Sequence, residues 1–512
     1  KRIFVDGVQV TAASQTGSVT DSATKLVLGD ASSGSAGGPK IDDVRFYRGI
    51  LTAAEVSALY NQGTGDVGAP KFAITSPSTI SGAKGKAISY QISADTAYGL
   101  TGYDASVTYS LLNAPSWLSV GSSSGLVTGT PPTAGTFTFE VKGVNTLGSN
   151  VETVTLSVSD YSDWQYALPF TTDLSNGTTL SDWNMLLRLS ESDSNGTGNR
   201  GFRYSQARSN GGDLRFLDRF GSELKYEIAR WDTAGESHVW VNAPTLNADA
   251  NITMYWGNPS AGLPTYATDG SAWKDYFGVY HLEQASGQAR DSSPGNNHLT
   301  ALNDPVLVPS GMAGNAYSSN YAKNNGFIAS SLSENVLARE GTYTVWANTP
   351  TDPGDWKDYI GLEYDSDNAQ SIRLETDNAS PPHVRGFGPG LSISDPNDNV
   401  GTGNWHMLTL RLRNGYTSVY VDGVLDGNAK WYFPGMNRVT ALAVGRGTND
   451  RGSGATVDEA TFSTVGRTAE WLSASYQNQK PNSTYLNFGA LIGPISLNDP
   501  LGTTLFAKKD TN

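Results

Sequence analysis

Residues 408–424 read LTLRLRNGYTSVYVDGV. Leu408, Leu410 and Leu412 alternate with Thr409, Arg411 and Arg413, Asn414-Gly415 supplies two turn residues, and Val419 and Val421 carry the alternation back. Successive strand side chains point to opposite faces, so this is the period of a hairpin with one buried face. Its two-residue turn needs left-handed backbone at both central positions, which Asn-Gly provides. Asp422-Gly423 then turns the chain again. The rest of the chain has the same character, because 57 Gly in 512 residues and only 16% charged residues suit turn-rich strands better than long solvated helices. The expected fold class is all-β. At roughly 100–200 residues per domain the chain is too long for one core, which makes it a tandem array of β-sandwich domains.

The end of the quoted stretch has a counterpart at the start of the chain. Val5-Asp6-Gly7-Val8 recurs as Val421-Asp422-Gly423-Val424, Leu26 and Gly29 as Leu442 and Gly445, Ile41-Asp42-Asp43 as Val457-Asp458-Glu459, and Phe46 and Tyr60 as Phe462 and Tyr476. Every pair is 416 positions apart, so the two copies align without a gap. The first copy begins just past the equivalent of the Asn414-Gly415 turn and lacks the strand that would precede it. Ile3, Val5, Leu26, Leu28, Val44 and Phe46 alternate toward a sheet that residues 1–66 do not supply. A half-sandwich exposes an apolar face and an unpaired edge, so another protein segment is expected to complete it, either an associated upstream piece or a neighbouring subunit.

Composition narrows the partners. The chain carries 35 Lys+Arg against 49 Asp+Glu, a net charge of −14, with no run of basic residues. Nucleic acid and anionic membrane surfaces both require a basic footprint and are not expected partners. The absence of Cys removes disulfides, thiolate metal sites and Cys nucleophiles together. No apolar run approaches the roughly 18 residues of a membrane span. The chain opens on Lys1-Arg2 and is read as a piece of something longer.

Residues 276–298, YFGVYHLEQASGQARDSSPGNNH, together with the Trp346 strand, Trp405-His406, VYVDGV and VDEATF, resemble a concanavalin-A-like, laminin-G-type jelly roll over 272–487. Residues 1–66 resemble only the C-terminal part of another, closing on IDDVRFYRGILTAAEVSALY. In residues 70–159, Pro115-Ser116-Trp117-Leu118, then Ser122 to Gly125, then Gly129-Thr130-Pro131 resemble the bacterial Ig-like repeat that acts as a spacer. Residues 160–262 open on Asp163-Trp164-Gln165-Tyr166, run through LSDWNMLLRL, DLRFLDRFGSELKYEIARWD and HVWVNAPTLNADANITMYWGNPSA, and resemble the family called domain of unknown function 2341. That resemblance implies a secreted or envelope-associated β-domain and brings no chemistry. Residues 488–512 match no family and are expected to be a tail or linker, with Ile495 to Phe506 able to add a strand to an open edge.

Catalytic constellations do not assemble. Gly121-x-Ser123-x-Gly125 has the letters of a nucleophile elbow, but that elbow sits on a strand-to-helix turn of an α/β sheet and this one reads as a β-turn. Gly63-Thr64-Gly65-Asp66-Val67-Gly68 leads into Pro70 and reads as a linker. The five His residues (His238, His281, His298, His383, His406) have no metal-ligand spacing. Glycan hydrolases of this jelly-roll type carry paired carboxylates on one strand, and the nearest match, Glu363-Tyr364-Asp365-Ser366-Asp367, lacks the second Glu. The chain is expected not to be an enzyme.

Two kinds of ligand remain. Calcium takes six to eight oxygens from carboxylates, carbonyls and water, and Asp291 and Asp458 stand where related jelly rolls hold a structural ion. The competing reading is that Asp291 makes an Asx-turn and Asp458 faces solvent. Sugars stack their apolar faces on aromatic rings while polar groups take the hydroxyls, and two loops offer this: Asp355-Trp356-Lys357-Asp358-Tyr359 and Lys430-Trp431-Tyr432-Phe433-Pro434. Trp356, Trp431 and Tyr432 are the candidate carbohydrate-binding residues, with the competing reading that such rings close the end of the sandwich core. The function expected is adhesion or assembly outside the cell or at its surface, through a glycan or polysaccharide. The alternatives are an accessory carbohydrate-binding portion of a polysaccharide-degrading enzyme and a structural subunit of an extracellular filament.

Overall fold

The computed structural model describes residues 2–5, 8–12, 73–95, 106–145, 148–192, 197, 200–332, 340–351, 356–364, 367–377, 379, 382–388, 391–430, 439–448 and 451–493. The described residues are arranged in β-sheets that build sandwiches, joined by short 3-10 turns and one α-helix. Contacts divide the chain into two units, residues 1–79, 89–128 and 138–155 in one and 80–88, 129–137 and 156–512 in the other.

In the first unit, Arg2–Val5 and Val8–Ala12 form an antiparallel hairpin. The remaining positions of the first copy, Leu26, Leu28, Asp42, Val44 and Phe46 included, lie outside the described residues. Farther along, the strand Thr108–Leu112 pairs antiparallel with residues 140–144. Phe139 and Val141 alternate into the core, as a half-buried strand requires. The Gly121-x-Ser123-x-Gly125 stretch is a tight turn, with Gly125 N–H donating to the Gly121 carbonyl at 2.8 Å and Gly121 N–H to the Leu126 carbonyl at 2.9 Å. Gly125 holds φ +69°, and a Cβ there would stand 2.9 Å from the Tyr109 ring, so glycine serves packing and backbone together.

In the second unit, residues 160–262 make a sandwich of two sheets. One runs Glu223–Leu224, Arg215–Leu217, Asn251–Trp256, Tyr166–Thr172, and the other Thr179–Leu189, Ser237–Asn247, Tyr226–Arg230. Phe170, Trp183, Leu187, Phe216, Val241 and Met254 fill the space between them. Residues from 276 onward build a larger sandwich from an eight-stranded and a seven-stranded sheet. The hairpin read from the sequence lies in its eight-stranded sheet, with Leu408 opposite Val421 and Arg413 opposite Tyr416. Asn414 and Gly415 hold φ of 53° and 74°, and Asp422 and Gly423 hold 53° and 77°, so both turns use the left-handed region. Leu408, Leu410, Leu412, Val419 and Val421 all join one core.

The two sandwiches of this unit are welded by the α-helix Ala469–Gln479, capped by Thr468, whose hydroxyl accepts the Trp471 N–H. The helix rests on the Asp422-Gly423 turn so closely that a Cβ at Gly423 would meet Ser473 Cα at 2.8 Å. Its other side packs on the smaller sandwich, where Leu472 and Ala474 enter the core beside Trp183. Asn478 Oδ1 accepts the Leu186 N–H at 2.7 Å and its amide donates to the Leu186 carbonyl at 3.1 Å, pairing with the strand as a neighbouring backbone would. Trp183 Nε1 donates to Ser475 Oγ at 3.0 Å. Past the helix, Leu486–Phe488 pairs with Tyr166–Thr172, and Ile492 bridges Ala167. Residues 486–492 therefore form an edge of the smaller sandwich, where a tail or linker was expected from 488. The strand-adding segment proposed at Ile495 to Phe506 lies outside the described residues.

A buried ionic group crosses the same seam. His281 lies between Trp240 and Trp273, with ring centroids 5.6 Å from each. Its Nδ1 is 2.7 Å from Glu459 Oε2 in the larger sandwich, and its Nε2 is 3.5 Å from Glu227 Oε2 in the smaller. Burial alone would push the imidazole pKa down, but Glu459 and Glu227 outweigh it and hold it well above the usual histidine value.

Two outcomes follow from this seam. Leu472→Ala should cost about 2–5 kcal/mol, as buried leucine deletions do. Calorimetry should show one endotherm shifted as a whole, because the helix that carries the residue touches both sandwiches. The His281 pKa is raised on folding, so its stabilisation is complete below the unfolded value of 6.5 and is lost as pH rises through the folded value. Melting temperatures should therefore decline from neutral to alkaline pH, and His281→Gln should flatten that decline.

Candidate functional site

Alternation along two neighbouring strands creates the charged face of the larger sandwich. In Asp367–Thr376, Ile372 and Leu374 point into the core, so Arg373 and Glu375 point the other way. In His383–Gly388, Val384 enters the core while Arg385 and Phe387 take the opposite face. Register then sets the partners: Asp358 lies opposite Glu375 and Glu375 opposite Arg385 in one rung, Gly361 opposite Arg373 and Arg373 opposite Phe387 in another. Three ionisable groups thus stand side by side across three strands.

The side chains form an alternating stack. The Arg385 guanidinium lies 3.8 Å from the Trp356 ring centroid and 4.7 Å from that of Phe387, and Arg373 lies 4.7 Å from Phe387 on its own account. Arg385 is held there by Glu375, which accepts from its Nε at 2.7 Å and also from its Nη2. Arg373 Nε is 3.7 Å from Glu375 Oε2 and its Nη1 4.0 Å from Asp358 Oδ2. Burial, followed by the neighbouring Glu375, pushes the Asp358 carboxyl well above the usual carboxylate range. Trp356, Arg385 and Phe387 are half-buried and form the outward edge of the cluster, whereas Asp358 and Glu375 are buried beneath.

Trp356 has a further peculiarity. Its φ is +53°, a conformation that costs a residue with a Cβ roughly 1–2 kcal/mol and that bulky side chains seldom adopt. Of its neighbours in sequence, Tyr359 lies in the strand Asp358–Tyr364 and is fully buried in the core, which is the competing reading of these rings, and its hydroxyl shares a hydrogen bond with Thr349 at 2.8 Å. Lys357 N–H donates to Thr376 Oγ1 at 2.9 Å, anchoring the loop to the sheet. Trp431 and Tyr432 lie outside the described residues.

The two expected calcium ligands both accept hydrogen bonds from the protein. Asp291 is buried, with Oδ1 accepting from Val279 N–H and Ser293 N–H at 2.8 Å each. Its Oδ2 accepts from Ser293 Oγ at 2.8 Å and Asn297 N–H at 2.7 Å, so donors fill both oxygens in the Asx-turn arrangement. Asp458 does not face solvent: it is buried and accepts from Ala313 N–H at 2.9 Å and Glu459 N–H at 2.8 Å. Among the described residues no group of three or more His, Asp or Glu side chains stands together as a metal site. Calcium at Asp291 and Asp458 thus remains an expectation of the sequence that the described geometry does not assemble. Glu363, of the nearest hydrolase-like match, lies in the strand Asp358–Tyr364, and Asp365 is outside the described residues.

Arg373, Glu375, Arg385 and Phe387 were missed by sequence reasoning, although the signal was present. Ile372-Arg373-Leu374-Glu375 and Val384-Arg385-Gly386-Phe387 alternate with period two, which places the charges on one face. Which strand lies beside which is not encoded in that period.

Comparison with known proteins supports the domain identities in two regions. Residues 71–159 match the family model described as "Putative Ig domain", and residues 210–294 match the domain of unknown function DUF2341. Neither description names a catalytic activity. No curated protein is similar in sequence. Among solved structures, the chain is similar to domain 4 of AbnA, a GH43 extracellular arabinanase from Geobacillus stearothermophilus in complex with arabinotriose. That likeness has 16% identity over 39% of this chain and 97% of that chain, with a TM-score of 0.31. It is similar to the binding domain of Paraclostridial Mosquitocidal Protein 1, at 11% identity over 40% of this chain and 52% of that chain, with a TM-score of 0.30. It is also similar to a Trypanosoma rangeli sialidase in complex with sialic acid, at 10% identity over 65% of this chain and 57% of that chain, with a TM-score of 0.31. The chain spans little more than half the length of the last two. Among the described residues no helix is long and apolar enough to cross a membrane.

Glu375→Ala would leave two guanidinium groups without their shared carboxylate in a buried setting. The expected cost is about 3–5 kcal/mol of stability, measured by urea unfolding.

Proposed function

We propose that this chain is a non-catalytic, glycan-binding part of an extracellular or cell-surface protein acting in adhesion or assembly, with Trp356 and Arg385 as the contact residues. The observation that carries the reading is the Trp356–Arg385–Phe387 stack. A strained tryptophan, a guanidinium locked by a buried carboxylate and a second ring meet at the outward edge of a rigid sheet. A ring face beside fixed donors is what a saccharide requires, because its C–H face stacks while its hydroxyls take the hydrogen bonds. Preorganisation by Glu375 means that little side-chain entropy is lost on binding. The Ig-like module at 71–159 supports the reading as a spacer that would carry such a face outward.

The test uses two substitutions in the whole chain against a glycan array and immobilised polysaccharides. Trp356→Ala should weaken retention by an amount corresponding to about 1–3 kcal/mol, the cost of losing a central aromatic anchor. Trp356→Gly relieves the left-handed backbone as well, so binding should be lost while the melting temperature holds. Retention unchanged in both variants, or a large drop in melting temperature with Trp356→Gly, would assign the ring to the core instead.

A further inference from the structure

The smaller sandwich has a second aromatic and acidic constellation, remote in sequence from Trp356. Trp164 and Tyr161 are half-buried, with ring centroids 5.1 Å apart, and Tyr161 lies 5.4 Å from the Tyr255 ring behind it. The Trp164 indole N–H donates to the Asp213 carbonyl at 2.6 Å, which fixes the plane of the ring. The Arg215 guanidinium lies 5.5 Å from the Trp164 centroid.

Glu223 sits at the centre of this group. Its Oε2 accepts from the Tyr161 hydroxyl, its Oε1 from the Tyr266 hydroxyl, and Arg215 Nε is 3.4 Å away. Arg215 is itself pinned through Nη1 to the Gly212 and Leu214 carbonyls at 3.1 and 2.6 Å and through Nη2 to the Gly262 carbonyl at 2.9 Å. Burial, reinforced by Glu223, pushes both tyrosine hydroxyls far above their ordinary value, so they stay donors. The polar groups are locked before any ligand arrives.

Asp160, Tyr161, Trp164, Arg215, Glu223 and Pro264 line an open groove of about 420 Å3. That volume falls within the roughly 300–1,000 Å3 of small-molecule sites. The charges along it pair off, Glu223 with Arg215 and Asp160 with Lys84 at 2.9 Å, so neither an anion nor a cation finds an unmatched partner. What the groove offers instead is the oriented Trp164 ring, carboxylate oxygens with remaining acceptor capacity, and the Tyr161 phenol.

We propose that this groove is a second binding site, specific for an uncharged saccharide whose ring stacks on Trp164 and whose hydroxyls donate to Glu223 and Asp160. The site lies in the smaller sandwich, which holds residues 210–262 of the match to the domain of unknown function, and it does not depend on the reading of Trp356.

Titration calorimetry on the whole chain tests it, with cellotriose, xylotriose and mannotriose as uncharged probes and galacturonate and choline as charged ones. At least one uncharged probe should bind the wild type, and Trp164→Ala should weaken it about tenfold or more. Trp164→Phe retains a ring and should stay within about threefold of wild type, which separates loss of the platform from loss of the fold. Silence of all three uncharged probes would overturn the proposal. So would binding confined to galacturonate or choline, an affinity indifferent to Trp164→Ala, or binding lost in Trp356→Ala and kept in Trp164→Ala.

Discussion

The second unit depends on one strand being covered on both faces. In Thr179–Leu189, Trp183, Met185, Leu187 and Leu189 face their own core, while Asn184, Leu186 and Arg188 face the larger sandwich and the helix after it. The polar members of that second face reach partners across the seam, with the Arg188 Nε left over as a buried atom without one among the described residues. Asn184 donates to the Ala272 carbonyl at 2.8 Å, Leu186 pairs its backbone with the Asn478 amide, and Arg188 reaches the Met312 and Gln479 carbonyls at 3.0 and 3.1 Å. An unsatisfied polar group in a buried setting costs about 1–3 kcal/mol, so this matched set selects one docking of the two sandwiches. The return of residues 486–492 to the edge of the smaller sheet then ties the ends together.

That rigidity bears on recognition. A stack such as Trp356–Arg385–Phe387 has a defined shape only if the strands beneath it keep register, because a slip of one residue would send Arg385 into the core and Val384 outward. The hydrophobic set on the reverse face, Ile372, Leu374 and Val384, prevents the slip. Core packing and the charged, aromatic face are therefore two consequences of one alternation. The groove at Trp164 is built differently, with Tyr161 and Tyr266 from flanking segments donating to Glu223, which a neighbouring strand pair holds beside Arg215.

Much of the architecture was legible in the chain itself. The Asn414-Gly415 and Asp422-Gly423 turns, the alternation of Leu408 to Leu412, the turn nature of Gly121 to Gly125 and the tandem sandwich class all follow from local rules, since turn chemistry and strand period act over a few residues. Trp356 could be singled out because a tryptophan in a polar loop demands a reason. Its neighbour Tyr359 showed the limit of that argument, since the aromatic residue three positions on already belongs to a strand and fills the core.

What the sequence by itself determined was therefore the element type, the turn positions and which residues share a strand face. Only the tertiary structure decided which faces meet. Asn184 and Arg188 read as solvent positions until the helix Ala469–Gln479 covers them. The hydrogen bonds of Asp291 are not set by its own loop alone, since Val279 joins Ser293 and Asn297 in donating to its oxygens. Arg373, Glu375 and Arg385 are unremarkable charges until register sets them side by side. The physical reason is the same in each case: local patterns fix a side chain's direction, whereas its partner comes from a segment tens to hundreds of residues away, and only the packing of whole sheets brings that segment into reach.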